Sequence, residues 1–252
     1  MRMQLASWPE VEAYLKRSTG IILPIGSTEQ HGPTGLIGTD ALTSEMIAWR
    51  VGEAVDAMVA PTINVGMAQH HLGFPGSMTL RPLTLIAVVQ DIVNSLARHG
   101  FERFFFINGH GGNVATVTAA FSELYAETSL KTAAANRPQV RCVLRNWYLG
   151  KRVGAISKEV FGDDEGSHAT PSEVALTYFG YPETGARLSK AKLDPPRAPE
   201  GMIYDADDYR RQFPDGRIGS NPLGATAEIG ERILEAAATE LADDYRAFVA
   251  AA

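Results

Sequence analysis

Carboxylate and imidazole side chains follow the first apolar run of the sequence at a close spacing. Glu29 and His31 are separated by one residue, so an extended backbone projects both side chains to the same side. Asp40 follows nine residues after the histidine, at the predicted start of a helix. Such mixed oxygen and nitrogen donors suit divalent zinc or manganese. This segment predicts a metal site, although Asp40 alone also suits a helix N-cap and the other two residues a solvated loop.

A second candidate is the glycine-rich turn at residues 108–113, which follows an aromatic and apolar run. Such a turn can hold a phosphate with backbone N–H groups, but the Walker lysine and the GxGxxG spacing are both missing. Its glycines also allow the backbone to pass close to a metal or a substrate. We therefore predict that His110 projects from the same sheet edge as Glu29 and His31.

A third candidate is the segment 163–173, in which an acidic run precedes His168 and Glu173. The acidic run alone is typical of a solvated loop, and Glu173 alone is typical of a helix N-terminus. Their value as functional residues depends on whether the fold brings them to the other two segments.

Short apolar runs alternate with longer periodic segments along the chain, which is typical of α/β layered folds. Strands are predicted at 20–26, 58–66, 101–107 and 140–148, the second with Pro61 near its centre. Helices are predicted at about 8–17, 41–55, 83–99, 114–128, 170–179 and 226–249. Residues 187–222 have little periodicity, which leaves a lid, an oligomer contact or a surface excursion open. We predict one domain, 1–252.

Composition narrows the class of protein. The 252 residues are 45% hydrophobic and 21% charged, which is ordinary for a globular domain. A net charge of −6 argues against nucleic acid or an anionic membrane as the main partner. No stretch approaches the roughly 20 apolar residues of a membrane span, and no signal peptide is visible, so we predict a cytoplasmic protein. The single cysteine, Cys142, is predicted to lie in the core.

Four blocks of the sequence resemble, in the same order, those of the creatininase (creatinine amidohydrolase) family: STEQHGPTGLIGTD, FPGSMTL, INGHGGN and GSHATPSE. Residues 214–228 are similar to the family's C-terminal block, and the resemblance extends from about 21 to 232. It implies a three-layer αβα sandwich with a mostly parallel central sheet. It also implies two divalent metal ions (zinc, manganese or iron) and a homo-oligomer, commonly a hexamer.

The resemblance implies metal roles for four residues that match the family's blocks by position. Glu29 and His110 would hold one metal, His31 would hold the other, and Asp40 would bridge the two.

Other residues match the family's substrate pocket. His168 matches a histidine that serves in proton transfer near the substrate, and we assign Ser77, Gly111 and His168 to substrate binding. His71 matches a position where the family often has histidine. For His70 and His71 we predict a supporting or packing role.

The chain departs from creatininase itself at Gly112, where that enzyme has a glutamate ligand. The Gly-Gly form resembles other branches of the family, including formamide deformylases and the mycofactocin-associated peptidase. We therefore predict a substrate other than creatinine. Glu173 is predicted as the replacement ligand of the second metal, with a capping or supporting role as the alternative.

Together these features predict a metal-dependent amidohydrolase that cleaves a small-molecule C–N bond, of cyclic amide or formamide type, with metal-activated water. His168 and Glu173 are its predicted catalytic residues. A metallopeptidase acting on a short peptide and a non-catalytic binding protein remain the alternatives. A serine nucleophile is not supported, since the sequence has no G-x-S-x-G motif.

Overall fold

Four parallel strands form the central sheet of the computed structural model, which describes residues 1–130 and 139–251. Their order is β2-β1-β3-β4, and their bounds are Gly20–Ile25 (β1), Met58–Val59 (β2), Arg103–Asn108 (β3) and Arg141–Asn146 (β4). Every residue of β1 and all but the first of β3 are buried. Burial on both faces explains why these two strands are continuous apolar runs rather than alternating ones.

Helices connect the strands and cover both faces of the sheet. In the described ranges they are α1 (Trp8–Leu15), α2 (Thr39–Ala54), α3 (Pro82–Ala97), α4 (Asn113–Ser129), α5 (Lys151–Val160), α6 (Pro171–Gly180), α7 (Pro182–Leu188), α8 (Ala206–Gln212) and α9 (Ala227–Ala250). None of the helices described has the length and apolarity that crossing a membrane requires.

Successive residues of β3 contribute to two different cores, one on each face of the sheet. Phe105 and Ile107 pack with residues of α2, α6 and α9, whereas Phe104 and Phe106 pack with residues of α3 and α4. This alternation follows from the two-residue period of a strand. The helices on the two faces and the sheet between them confirm the predicted three-layer αβα sandwich.

Two predictions of secondary structure differ from the structure. The strand predicted at 58–66 pairs only over Met58–Val59 and returns as a single bridge at Ile63, because Pro61 has no amide proton to donate. Helices α5, α7 and α8 were not predicted. They have ten, seven and seven residues, which leaves little room for a periodic signal.

The segment 187–222, which has little periodicity, nevertheless packs against the domain. Helix α8 brings Tyr209 and Phe213 into a third apolar cluster with Phe74 and Ile218. The segment thereby covers the carboxyl edge of the sheet beside β1.

A buried arginine fixes the same segment. The guanidinium group of Arg217 is inaccessible to solvent, donates to the carbonyl oxygens of Pro195, Pro196 and Ser220, and lies 2.7 Å from the Asp215 carboxylate. Removing one partner of such a buried charge is strongly destabilising. The segment is therefore held as a fixed cover.

Candidate metal centre

The N-terminus of α2 lies directly against the ends of β1 and β3, and two glycines permit this contact. A Cβ atom at Gly26 would lie 2.3 Å from the amide nitrogen of Ala41, and one at Gly109 would lie 2.3 Å from the carbonyl oxygen of Asp40. Neither position accepts a side chain without displacement of backbone. Asp40, in the first turn of α2, is thereby placed between the residues that follow the two strands.

The carboxylate of Asp40 contacts a different histidine with each oxygen. Its Oδ1 lies 2.9 Å from His31 Nε2, and its Oδ2 lies 3.0 Å from His110 Nδ1. Glu29 Oε1 is 3.2 Å from the same His110 nitrogen, and Glu173 Oε1 is 3.6 Å from His31 Nε2. All five side chains are buried. Asp40 therefore occupies a bridging position between two groups of donors.

The far nitrogen of each of these two histidines donates to a backbone carbonyl group. His110 Nε2 lies 2.9 Å from the oxygen of Met67, and His31 Nδ1 lies 3.1 Å from the oxygen of Glu29. A carbonyl oxygen only accepts, so the proton of each neutral ring sits on that nitrogen and the lone pair of the other faces the carboxylates. Metal-binding histidines are oriented in the same way.

Three carboxylate oxygens of the centre are buried without a hydrogen-bond partner among the described residues: Glu29 Oε1, Glu29 Oε2 and Asp40 Oδ2. Nearby ring nitrogens approach them at 3.0–3.2 Å, outside hydrogen-bond geometry. One donor set comprises Glu29, Asp40 and His110, and another His31, Asp40 and Glu173; the ligand atoms within each set lie within 4.8 Å of one another. Unpartnered buried charges are costly, and a divalent cation would satisfy them. The residues present therefore fit such an ion.

The electrostatics of the centre favour positive charge. Burial opposes protonation of His31, but the carboxylates of Asp40 and Glu173 outweigh it and raise the pKa of His31 to about 10. Burial likewise opposes protonation of His110, and Glu29 with Asp40 raises its pKa well above the usual value. Carboxylates that hold protons on adjacent rings this firmly also attract metal cations.

Position 112 is closed to a side chain in this backbone. A Cβ atom on Gly112 would lie 2.4 Å from His110 Nε2 and 2.6 Å from the carbonyl oxygen of Met67. Glu173 lies instead in the first turn of α6, where its Oε1 accepts from the Thr170 amide at 2.8 Å and also faces His31. The capping role predicted as the alternative is thus present, and the predicted ligand role is compatible with the same orientation.

Two cavities share Glu29, His110, Gly111 and His168 in their walls. The first measures about 330 Å³ and is also lined by Tyr148, Glu165, Ser172 and Glu173. The second measures about 270 Å³ and is also lined by His70, His71, Met202, Ile203 and Tyr209. The structure thus gives a small ligand two routes to the donors.

The predicted substrate residues occupy different positions relative to these cavities. Gly111 has room for a side chain, since a Cβ atom there would make only an ordinary contact, 3.7 Å from the hydroxyl group of Tyr148. His168 Nδ1 lies 4.0 Å from Glu29 Oε1. Ser77 is absent from the lining described for either cavity, and its hydroxyl group accepts from the backbone N–H of Gln30. Its substrate contact stays a prediction.

Sequence reasoning missed Gln30 and Tyr209. Gln30 lies between two predicted ligands, and strand-like alternation would have pointed its side chain away from them, toward another layer. Tyr209 lies on the unpredicted helix α8. Its hydroxyl group contacts the Gln30 amide at 3.1 Å. The supporting role predicted for His71 agrees with the 3.0 Å distance between its Nε2 and Glu29 Oε1.

Comparison with known proteins finds one family model and several curated relatives of that family. The chain matches the family model for creatininase (creatinine amidohydrolase) over residues 4–244. Creatinine amidohydrolase of Pseudomonas putida is 31% identical over 250 residues, which cover 95% of this chain and 94% of that protein. The mycofactocin precursor peptide peptidase of Mycolicibacterium smegmatis is 35% identical over 113 residues, which cover 42% of this chain and 45% of that protein.

Solved structures have the same architecture. A manganese form of creatininase aligns with a TM-score of 0.80 and 25% identity, covering 99% of both chains. A zinc–zinc form of a creatininase variant aligns with a TM-score of 0.80 and 26% identity, covering 99% of this chain and 98% of that one. With the family model spanning nearly the whole sequence, the chain belongs to the creatininase family of hydrolases.

Proposed function

We propose that this protein is a metal-dependent amidohydrolase that cleaves the C–N bond of a small cyclic amide or formamide-type molecule. The observation that carries the proposal is the pair of buried donor sets joined by Asp40, with three carboxylate oxygens unpartnered in the described chain. Glu29 and His110 line both cavities, which adds a place for a substrate beside the donors.

Each donor set would hold one divalent ion. Glu29, His110 and Asp40 would hold the first, and His31, Asp40 and Glu173 the second. Zinc, manganese or iron suits this mixture of imidazole and carboxylate. When bound, such ions supply a nucleophilic water near neutral pH and polarise a substrate carbonyl group.

His168 is placed to transfer a proton. Its Nε2 lies 2.8 Å from the backbone oxygen of Gln30, which only accepts, so the Nε2 proton stays there. The free lone pair on Nδ1 then faces Glu29 and can accept a proton from the attacking water. Returning that proton to the departing nitrogen completes a general acid–base role.

A peptidase acting on a short peptide is the second candidate. Gly112 excludes a side chain beside His110, and the adjacent Gly111, which lines both cavities, has no side chain to separate them. A substrate that extends from one cavity into the other fits this wall. The match to the mycofactocin precursor peptide peptidase points in the same direction.

A substrate panel would test the proposal. The purified protein, supplied with zinc or manganese, is incubated with cyclic amides including creatinine, with formamides and with short peptides, and hydrolysis is measured by mass spectrometry. We expect a small amide to gain one water, and His31→Ala to abolish this turnover. His99→Ala, which changes an exposed histidine in the turn after α3, is the matched control and should retain it.

The outcomes separate the candidates. Turnover of peptides alone would replace the amidohydrolase by the peptidase. Metal uptake without turnover of any panel member would favour a binding protein, and turnover that survives stringent chelation would reject the metal centre.

We also propose a homo-oligomer, with a hexamer as the expected size, that acts on a small molecule in the cytoplasm. The resemblance to the family supports the assembly. Sedimentation equilibrium gives the molecular mass directly, and a monomer at micromolar concentration would contradict this part of the proposal.

A further inference from the structure

Gln30 lies between Glu29 and His31 in the sequence, but its side chain points to the other side of the backbone. There it is buried, and it contacts His71, His168, Tyr209 and Gly216 rather than the carboxylates. A Cβ atom at Gly216 would lie 1.9 Å from Gln30 Oε1, so this close approach requires glycine.

Two backbone groups fix the orientation of the Gln30 amide. The N–H of Gly32 donates to Oε1 at 2.9 Å, and the carbonyl oxygen of Gly216 accepts from Nε2 at 2.9 Å. A flipped amide would place two donors together at one end and two acceptors at the other. The Gln30 nitrogen is therefore the atom that faces the histidines.

The fixed amide determines which nitrogen of His71 carries the proton. Gln30 Nε2 lies 3.0 Å from His71 Nδ1 and is a donor only. His168 Nε2 lies at the same 3.0 Å from Gln30 Nε2, but its own proton already has the backbone oxygen of Gln30 as acceptor at 2.8 Å. With the Gly216 oxygen accepting one N–H of the Gln30 amide, the other has the unprotonated Nδ1 of His71 as its acceptor, which leaves the ring proton on Nε2. That nitrogen lies 3.0 Å from Glu29 Oε1.

Tyr209 anchors the same amide from outside. Its hydroxyl group donates to the Gly216 oxygen at 2.7 Å and lies 3.1 Å from Gln30 Nε2. Tyr209 is inaccessible to solvent on α8, so the docked 187–222 segment holds the amide in place.

We propose that Gln30 is a positioning residue of the metal centre: by fixing the tautomer of His71 it keeps the N–H edge of that ring beside Glu29 and so holds the carboxylate in place for a cation. The inference rests on the metal centre of the proposed function. The 3.0 Å contact between His71 Nε2 and Glu29 Oε1 is electrostatic rather than a directed hydrogen bond, because in the described structure neither oxygen of Glu29 has a hydrogen-bond partner.

A double-mutant cycle on metal affinity tests the route through His71. Gln30→Met keeps the length of the side chain and removes its donors, and we expect about tenfold weaker zinc or manganese binding in competition with a chelator. In a His71→Ala background, the same substitution should change affinity by less than about twofold. Equal losses in both backgrounds would overturn the proposal. Gln69→Met, at an exposed neighbour of His70, is the control and should bind as the unchanged protein does.

NMR of the imidazole nitrogens in the metal-free protein shows which ring nitrogen of His71 carries the proton. A purely structural role of Gln30 would leave that tautomer unchanged. We expect His71 to carry its proton on Nε2 alone. Gln30→Glu replaces the donor by an acceptor of the same shape, so it should bring a proton onto Nδ1. A proton on Nδ1 of His71 in the unchanged protein, or the same tautomer in Gln30→Glu, would overturn the inference. This measurement remains decisive even where metal binding itself fails.

Discussion

Asp40 is the residue that both donor sets share. Its two oxygens face different imidazole rings, and those rings are oriented by carbonyl groups on their opposite sides. The proposed bridging role of Asp40 therefore requires both the negative charge of the carboxylate and its two equivalent oxygens. An amide of the same shape has neither property. Three predictions at this scale use substitutions that preserve or remove one property of a side chain.

Asp40→Asn should remove most of the bound metal without unfolding the chain. The amide supplies one neutral oxygen and turns an NH2 group toward one histidine lone pair, so neither donor set keeps its bridging ligand. Metal content by mass spectrometry and far-UV circular dichroism measure the two effects. Asp91→Asn, an exposed position on α3, should change neither, and metal retained by Asp40→Asn would contradict the bridging role.

Glu173→Gln separates the two roles assigned to Glu173. A glutamine at this position of a capping box still accepts from the Thr170 amide, so α6 should keep its stability. Loss of the charged oxygen that faces His31 should release half of the bound metal. Glu123→Gln, exposed on α4, is the matched control. Full metal content in Glu173→Gln would leave the residue as a cap only.

His168→Ala should keep the metal and lose turnover. Removing a general acid–base group typically lowers the rate by about 10² to 10⁴. The comparison of kcat with metal content, again with His99→Ala as control, distinguishes this role from that of a ligand. Unchanged kcat would remove His168 from proton transfer.

At the scale of elements, the centre depends on how closely α2 approaches two strands. Gly26 and Gly109 mark the contact, because a Cβ atom at either would collide with the first turn of the helix. The parallel direction of β1 and β3 brings their carboxyl ends to one edge, where open α/β sheets place their ligand sites.

A pair of glycine substitutions tests this contact. Gly109→Ala should destabilise the protein by about 1–3 kcal/mol through overpacking and should weaken metal binding, since α2 must move away. Gly154→Ala lies in α5, where an added Cβ meets nothing within 4 Å, and should stabilise by about 0.5–1 kcal/mol. Urea unfolding measures both. Equal effects of the two substitutions would show that the contact is not tight.

At the scale of the whole molecule, the sandwich was predictable because its strands and long helices have strong periodic or continuous apolar patterns. β3, with three consecutive phenylalanines, is the clearest example. The gathering of Glu29, His31, Asp40 and His110 was predictable from their positions after strands and before a helix. The contribution of α8 was not, because a seven-residue helix is set by tertiary contacts such as those of Tyr209.

Metal should couple to the stability of the whole domain. A cation that binds the folded chain at about 100 times its Kd adds about 2.7 kcal/mol. For a chain of this size that corresponds to a rise in Tm of roughly 5–11 °C. Scanning calorimetry before and after chelation measures the shift. An unchanged Tm on loading with zinc and with manganese would contradict binding at the buried carboxylates.

The origin of the cavity walls has an evolutionary consequence. Four donors are fixed by the sheet and α2, whereas Met202 and Ile203 of the second cavity come from the 187–222 segment. Mutations in this segment can change the wall of the second cavity while the residues of the sheet and α2 that hold the four donors stay the same. Substrate preference can therefore diverge among descendants of such a chain faster than the chemistry it performs.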